Sequence, residues 1–224
     1  MSDRLRQRQV FGTAAVLMSC WLLTACGGSL FESQLPAATR YVIAPPPPAA
    51  TATASAASQV DLAVGRPDVT PGLDTDRIAV LRGHELDYYR GALWSGTLLD
   101  MTQSFLVTAL GDQKLFRNVA AEQARVAGEY LLDTEVRAFQ AEYTGATAPT
   151  VRVTIIGRVI RIRDRKMIDT VAATATQPAG ENRLTAVATA FEAAMQRVSL
   201  EIANRSAAII AADRVAQPVA QSRS

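Results

Sequence analysis

Hydrophobic and polar positions alternate most clearly in two stretches, 130–142 and 150–163, joined by Thr144-Gly145-Ala146-Thr147-Ala148-Pro149. Leu132, Val136 and Ala138 share one parity with Asp133, Glu135 and Arg137 on the other. After Ala138 the phase changes, and Phe139 and Ala141 become the apolar positions. The second stretch also shifts, from Val151, Val153 and Ile155 to Ile160 and Ile162 beyond Gly157. Period-two patterning of this length predicts a long β-hairpin. An antiparallel register that reconciles the shifts sets Phe139 opposite Ile155, Val136 opposite Arg158 and Leu132 opposite Ile162. It also pairs Asp133 with Arg161 and Glu142 with Arg152, each cross-strand charge pair contributing roughly 0.2–1 kcal/mol. In that register the two halves bury opposite faces. Phe139, Ala141, Val151, Val153 and Ile155 then form an apolar face for a partner, unless the domain covers it itself.

Helical periodicity occurs twice. Leu98, Leu99, Thr102, Phe105, Leu106, Ala109 and Leu110 form a stripe that Thr97 can cap and Gly111 can close. Leu184, Val187, Phe191, Met195, Val198, Ile202 and Ile209 lie along one side of a longer helix ending near Ala212. Short strands are expected at 40–43, 60–64, 78–81 and 116–119, with a further strand over 167–176. Residues 66–76, 83–96 and 177–183 read as loops. This order gives an α+β class: an antiparallel sheet with a long hairpin and two main helices on one face, in a single domain.

The N-terminus changes the picture. Arg4, Arg6 and Arg8 precede the apolar run Val10–Leu23, too short to span a bilayer comfortably. Residues 1–25 therefore read as a signal peptide, 26–38 as a tether, 39–216 as the domain and 217–224 as a frayed tail. Within the domain, 44–58 is a Pro/Ala-rich loop, either a spacer or a ligand for a proline-binding module. The chain of 224 residues has 23 basic and 21 acidic residues. Its first 25 positions hold three Arg and one Asp, so the two signs balance in the remainder. That removes the electrostatic case for nucleic acid. Cys20 falls within the signal, which leaves Cys26 alone and no disulfide possible.

Catalytic chemistry finds little support. His84 is the only His, beside Glu85 and without a second ligand nearby. No Gly-x-Ser-x-Gly, phosphate-binding loop or dinucleotide fingerprint occurs. The pair Glu85 and Asp87 has no evident burial to tune it. The expectation is no enzyme, no metal and no cofactor.

Leu23-Thr24-Ala25-Cys26 resembles the bacterial lipobox. The resemblance implies that Cys26 becomes the first mature residue and carries covalent diacylglycerol and an N-acyl chain, a lasting membrane anchor at roughly 0.8 kcal/mol per methylene. An ordinary cleaved signal with a chance Cys is the alternative. Gly27 in place of Asp implies the outer membrane, at its periplasmic face. Further motifs follow in order. Arg40-Tyr41-Val42-Ile43-Ala44-Pro45 looks like a Tyr-x-Leu-x-x-Pro strand. Asp76-Arg77-Ile78-Ala79-Val80 looks like an Asp-Arg-x-x-Ile-Val element. Glu85-Leu86-Asp87-Tyr88-Tyr89, with Leu93-Trp94 and Leu98, looks like a Leu-x-Tyr-Tyr … Trp … Leu signature. Gly128-Glu129-Tyr130-Leu131-Leu132 stands where Ala-Asp-Tyr-x-Leu is commoner. Together they resemble the ABC-type transport auxiliary lipoprotein family, across nearly all of the mature chain.

The resemblance implies a docking component for an ATPase, a permease and a periplasmic MCE-type subunit moving lipids or other hydrophobic molecules between membranes. It leaves room for a homo-oligomer. A structural lipoprotein for outer-membrane or secretion-complex assembly is the alternative. The stretch from Cys26 to Tyr41 reaches at most roughly 45–50 Å. Tyr88, Tyr89, Trp94 and Phe139 are the candidate partner contacts, aromatic anchors being rich in interface energy. Trp94 equally suits the apolar stripe of the first helix.

Overall fold

The computed structural model describes residues 37–51, 56–124 and 127–217. The signal peptide, Cys26, the tether up to residue 36 and the tail from 218 lie outside the described residues. Every element named below belongs to one compact unit, Ala38–Ser224.

The strands β7 (Tyr130–Tyr143) and β8 (Thr150–Arg161) form the long hairpin. Tyr130, Leu132, Thr134 and Val136 are buried, and then Phe139 and Ala141. The change of parity is real, but the face does not change. Val136 pairs with Ile155 and Ala138 with Thr154, so Arg137 is an extra, unpaired residue. This β-bulge returns the following side chains to the same side of the sheet. The expected register is corrected accordingly. Phe139 lies opposite Val153, Val136 opposite Ile155 and Leu132 opposite Val159. Asp133 faces Arg158, not Arg161, with an ion pair at 3.1 Å. Glu142 and Arg152 do pair, at 2.8 Å, but diagonally, because Glu142 lies opposite Thr150. β8 has no shift: Val151, Val153, Ile155, Gly157 and Val159 are all buried on one side. Ile162 belongs to no strand and opens a 3-10 turn, Ile162–Asp164.

The sheet is mixed, which corrects the antiparallel expectation. One edge of β7 carries β8 along its length. The other is shared by three short strands, β2 (Asp61–Val64), β3 (Asp68–Val69) and β4 (Arg77–Arg82), all parallel to it. β6 (Asn118–Ala121) continues beyond β2, in parallel. β5 (Glu85–Trp94) pairs antiparallel with β4, and β1 (Thr39–Tyr41) pairs parallel with β5. β5 replaces the loop expected over 83–96. Glu85, Leu86 and Asp87 remain exposed, so the segment lacks the alternation that burial imposes, while Gly83 at φ +62° makes the turn from β4.

β9 (Lys166–Pro178) closes the far side through antiparallel pairing with β8. Its free edge is partly capped by side chains: Arg205 donates to Ala172 O at 3.3 Å and Arg197 to Thr176 O at 3.4 Å. Filling edge carbonyls in this way blunts strand addition.

Both helices cover one face. α1 (Leu98–Asp112) starts where expected: Thr97 Oγ1 accepts from Asp100 N at 3.3 Å and donates to Asp100 Oδ2 at 2.9 Å. It runs past Gly111 by one residue. α2 (Leu184–Ala216) is 33 residues long, about 50 Å. Val187, Phe191, Met195, Val198 and Ile202 of α2 share a core with Leu98, Phe105 and Leu106 of α1 and with Leu132, Val136, Phe139, Val153, Ile155 and Val171 of the sheet. The opposite face of the hairpin carries Asp133, Glu135 and Arg158 in ion pairs. The proline-rich segment is not a free spacer over 44–49. Ala44 N donates to Glu192 at 2.8 Å, Gln196 donates to Ala44 O at 3.0 Å, and Ala49 N donates to Asp112 O at 3.0 Å. It is a strap across both helices.

Candidate functional site

The four aromatic candidates separate into two kinds. Trp94 ends β5 and Phe139 follows the bulge in β7; their relative exposures are 1% and 2%. They meet Phe191 of α2 in a triad: Trp94–Phe139 centroids 5.7 Å apart and edge-on, Trp94–Phe191 5.1 Å and edge-on, Phe139–Phe191 4.8 Å and stacked. These geometries suit the ring quadrupole and fix three elements on one another. Neither ring can anchor a partner at the surface, so both leave the list of partner contacts. The apolar face expected around Phe139, Val151, Val153 and Ile155 is covered by α2. Trp94 takes the core role, although it packs on α2 and β7 rather than on α1 alone.

Tyr88 and Tyr89 are only partly buried. Tyr88 Oη donates to Gly72 O at 2.6 Å, with the Arg77 guanidinium 3.9 Å from its ring centroid. Tyr89 Oη lies 3.1 Å from Tyr143 Oη, and Tyr143 donates to Asn182 at 2.6 Å. Burial, reinforced by the Tyr143 hydroxyl, pushes the Tyr89 phenol well above its ordinary range. The two tyrosines therefore tie β5 to the loop after β3 and to the end of β7. Tyr88 and Tyr89 keep exposed surface.

The far end of the hairpin holds a cluster that pattern reading missed. Arg161 Nη1 donates to both oxygens of Asp213 at 2.8 Å, and its Nε and Nη2 donate to Asp164 at 2.8–3.2 Å. Tyr130 Oη donates to Asp213 at 2.7 Å. The Arg161 and Asp213 side chains are about nine-tenths buried. Hydrogen bonding from Arg161 holds the Asp164 carboxyl down at about 2. Burial alone raises Asp213, but the bonds from Tyr130 and Arg161 outweigh it and its carboxyl titrates below the ordinary range. Burial, with the bond to Asp213, pushes the Tyr130 phenol up to about 12. The signal was present in the sequence: Asp213 is an acid near the apolar stripe of a long helix, where only a buried cation satisfies it. Beside this cluster, Glu129 pairs with Arg214 at 2.8 Å and with Arg117 at 3.2 Å, and Arg117 pairs in turn with Asp61.

His84 is exposed in the turn before β5, with Glu85 and Asp87 also exposed. Among the described residues no group of three or more His, Cys, Asp or Glu could hold a metal. Among them, too, no helix is long and apolar enough to cross a membrane. Two open grooves of about 280 and 210 Å³ flank α1, the second between Val42, Ile43 and Pro45 and Met101, Phe105 and Thr108. Both fall below the roughly 300–1,000 Å³ of ordinary ligand pockets. Among the described residues the arrangement offers surfaces and clamps.

The crystal structure of protein XCC0632 from Xanthomonas campestris superposes with a TM-score of 0.71 at 26% identity, covering 80% of this chain and 99% of that one. A second crystal structure, of an uncharacterized protein, shares the fold at a TM-score of 0.59 and 12% identity, over 76% of this chain and 99% of that one. No curated protein matches the chain. The sequence model of one family matches residues 41–203, most of the described unit and all of the hairpin. The chain belongs to the ABC-type transport auxiliary lipoprotein component family, whose lipoprotein character carries a membrane-anchored envelope location with it.

Proposed function

We propose that the protein is the outer-membrane docking lipoprotein of an MCE-type ABC transport system for lipids or other hydrophobic molecules. The family match over residues 41–203 carries the reading. In it, Cys26 bears the diacylglycerol and N-acyl chain and faces the periplasm. The tether from Cys26 supplies reach, and the folded unit meets the periplasmic MCE subunit, with permease and ATPase further along the assembly. One observation favours docking: the ion pairs Arg161–Asp213 and Glu129–Arg214 fix strands to helix α2 and leave a firm surface for a partner. The test is a mild-detergent purification of the lipidated protein from its native membranes, read by mass spectrometry. MCE, permease and ATPase subunits are expected to co-purify. Recovery of a β-barrel or secretion component with no transporter subunit would replace this reading by envelope assembly.

A further inference from the structure

The turn that links β8 to β9 reads Ile162-Arg163-Asp164-Arg165-Lys166-Met167, and every one of these residues is exposed. Asp164 is held by Arg161. The other three charges, Arg163, Arg165 and Lys166, have no ion pair among the described residues. Arg77, Arg90, Lys114 and Arg197 also lack a carboxylate partner among the described residues, but they are scattered, whereas these three cations sit within four consecutive residues. Two apolar side chains flank the three cations: Ile162 at 40% and Met167 at 57% exposure are among the few large hydrophobic residues left in solvent. Asp169, exposed on β9, turns its carboxylate to the backbone N–H of Thr170.

The turn is also tied down by side-chain and backbone bonds. Arg161 grips Asp164 with one side of its guanidinium and Asp213 of α2 with the other. Arg165, at φ +54°, closes the turn with a bond from its N–H to Ile162 O at 3.3 Å. A surface already held in place loses little conformational entropy on binding.

The basic turn lies beside the start of β7, where Tyr130, Arg161 and Lys166 are in register. The 14 residues of β7 span about 45 Å.

We infer that the turn Ile162–Met167 is the docking surface for an acidic protein partner, Ile162 and Met167 entering an apolar depression while Arg163, Arg165 and Lys166 pair with carboxylates around it. Arginine's planar fork suits bidentate pairing with carboxylate. An anionic bilayer fits less well. Lipid-binding clusters have 4–8 basic residues, and this turn has three. The inference rests on the docking reading above and adds to it the surface and the partner's chemistry.

The experiment is photo-crosslinking in native cells expressing the full chain with p-benzoylphenylalanine at Met167, alone and combined with Arg163→Glu and Arg165→Glu. Arg90→Glu, an exposed arginine on β5, serves as control, and thermal unfolding verifies that each variant folds. The expected result is a protein adduct on a peptide rich in Asp and Glu, reduced about tenfold by the double reversal and unchanged by Arg90→Glu. An MCE subunit in the adduct supports both readings. An acidic region of another envelope protein, with the same sensitivity, supports this surface and removes the MCE assignment. Adducts with lipid alone, with a second copy of the chain, or with a protein whose yield ignores the reversal overturn the inference, as does the absence of any adduct.

Discussion

The two ends of the β7–β8 hairpin are secured by opposite chemistries. At the loop end, Tyr89, Tyr143 and Asn182 form a chain of neutral hydrogen bonds, with the Arg82 guanidinium 4.9 Å from the Tyr143 ring centroid. At the turn end, Arg161, Asp213 and Asp164 form an ionic clamp that Tyr130 completes. Neutral groups in partial burial lose little if one member goes, because water can replace it. A buried charge deprived of its partner has no such relief. The loop end can therefore tolerate change, whereas the turn end ties together the start of β7, the end of β8 and the last turns of α2 and cannot.

Substitutions sharpen this contrast. At the midpoint, Trp94→Ala removes a ring shared by both halves, and thermal unfolding is expected to show a loss of about 3–5 kcal/mol. A loss below about 1 kcal/mol would mean the triad is not a common core. Arg161→Met is expected to cost about 3 kcal/mol because Asp213 stays buried without its cation. Tyr143→Phe is expected to cost about 1 kcal/mol. Equal losses at Arg161 and Tyr143, in chemical denaturation, would erase the distinction between the ends.

Acid supplies the smallest effect and the cleanest discrimination. Asp164 and Asp213 titrate lower in the folded chain than their ordinary value of 3.8. Their contribution is complete above that value and is lost as pH falls toward about 2. Asp61 and Glu135 add to the same acid limb. Arg161→Met should flatten the limb and Tyr143→Phe should leave it unchanged, as read from denaturation midpoints between pH 5 and pH 2. At the alkaline side the ends behave alike. Tyr130 and Tyr89 both titrate above their ordinary 10.0, so stability present below that pH declines above it in either variant.

How much the sequence disclosed depended on what kind of information each element needed. Thr97 and the stripe from Leu98 to Leu110 are local, and α1 begins where they indicate. The stripe from Val187 to Ile202 is equally local and gives α2. The hairpin was visible, but its parity change was read as a change of face, whereas Arg137 is a bulge. A period-two pattern cannot tell these apart, because the choice rests on the pairing partner. β5 escaped notice for a related reason: near the margin of the sheet, Glu85 to Asp87 meet solvent and show no alternation. The three parallel neighbours of β7 come from chain positions 61–68 residues earlier, which no window detects. Among the candidate contacts, aromatic character alone did not separate Tyr88 and Tyr89 from Trp94 and Phe139. Depth in the core is a property of the whole fold.

The position of α2 has a consequence in time. It is the last of the described elements, and its 33 residues lie over Leu132, Val136, Phe139, Val153, Ile155 and Val171. Until those residues are synthesised and released, the sheet has no cover, and its parallel pairings already demand distant segments that close slowly. A chain ending before Leu184 would present that apolar face to chaperones and to its own kind.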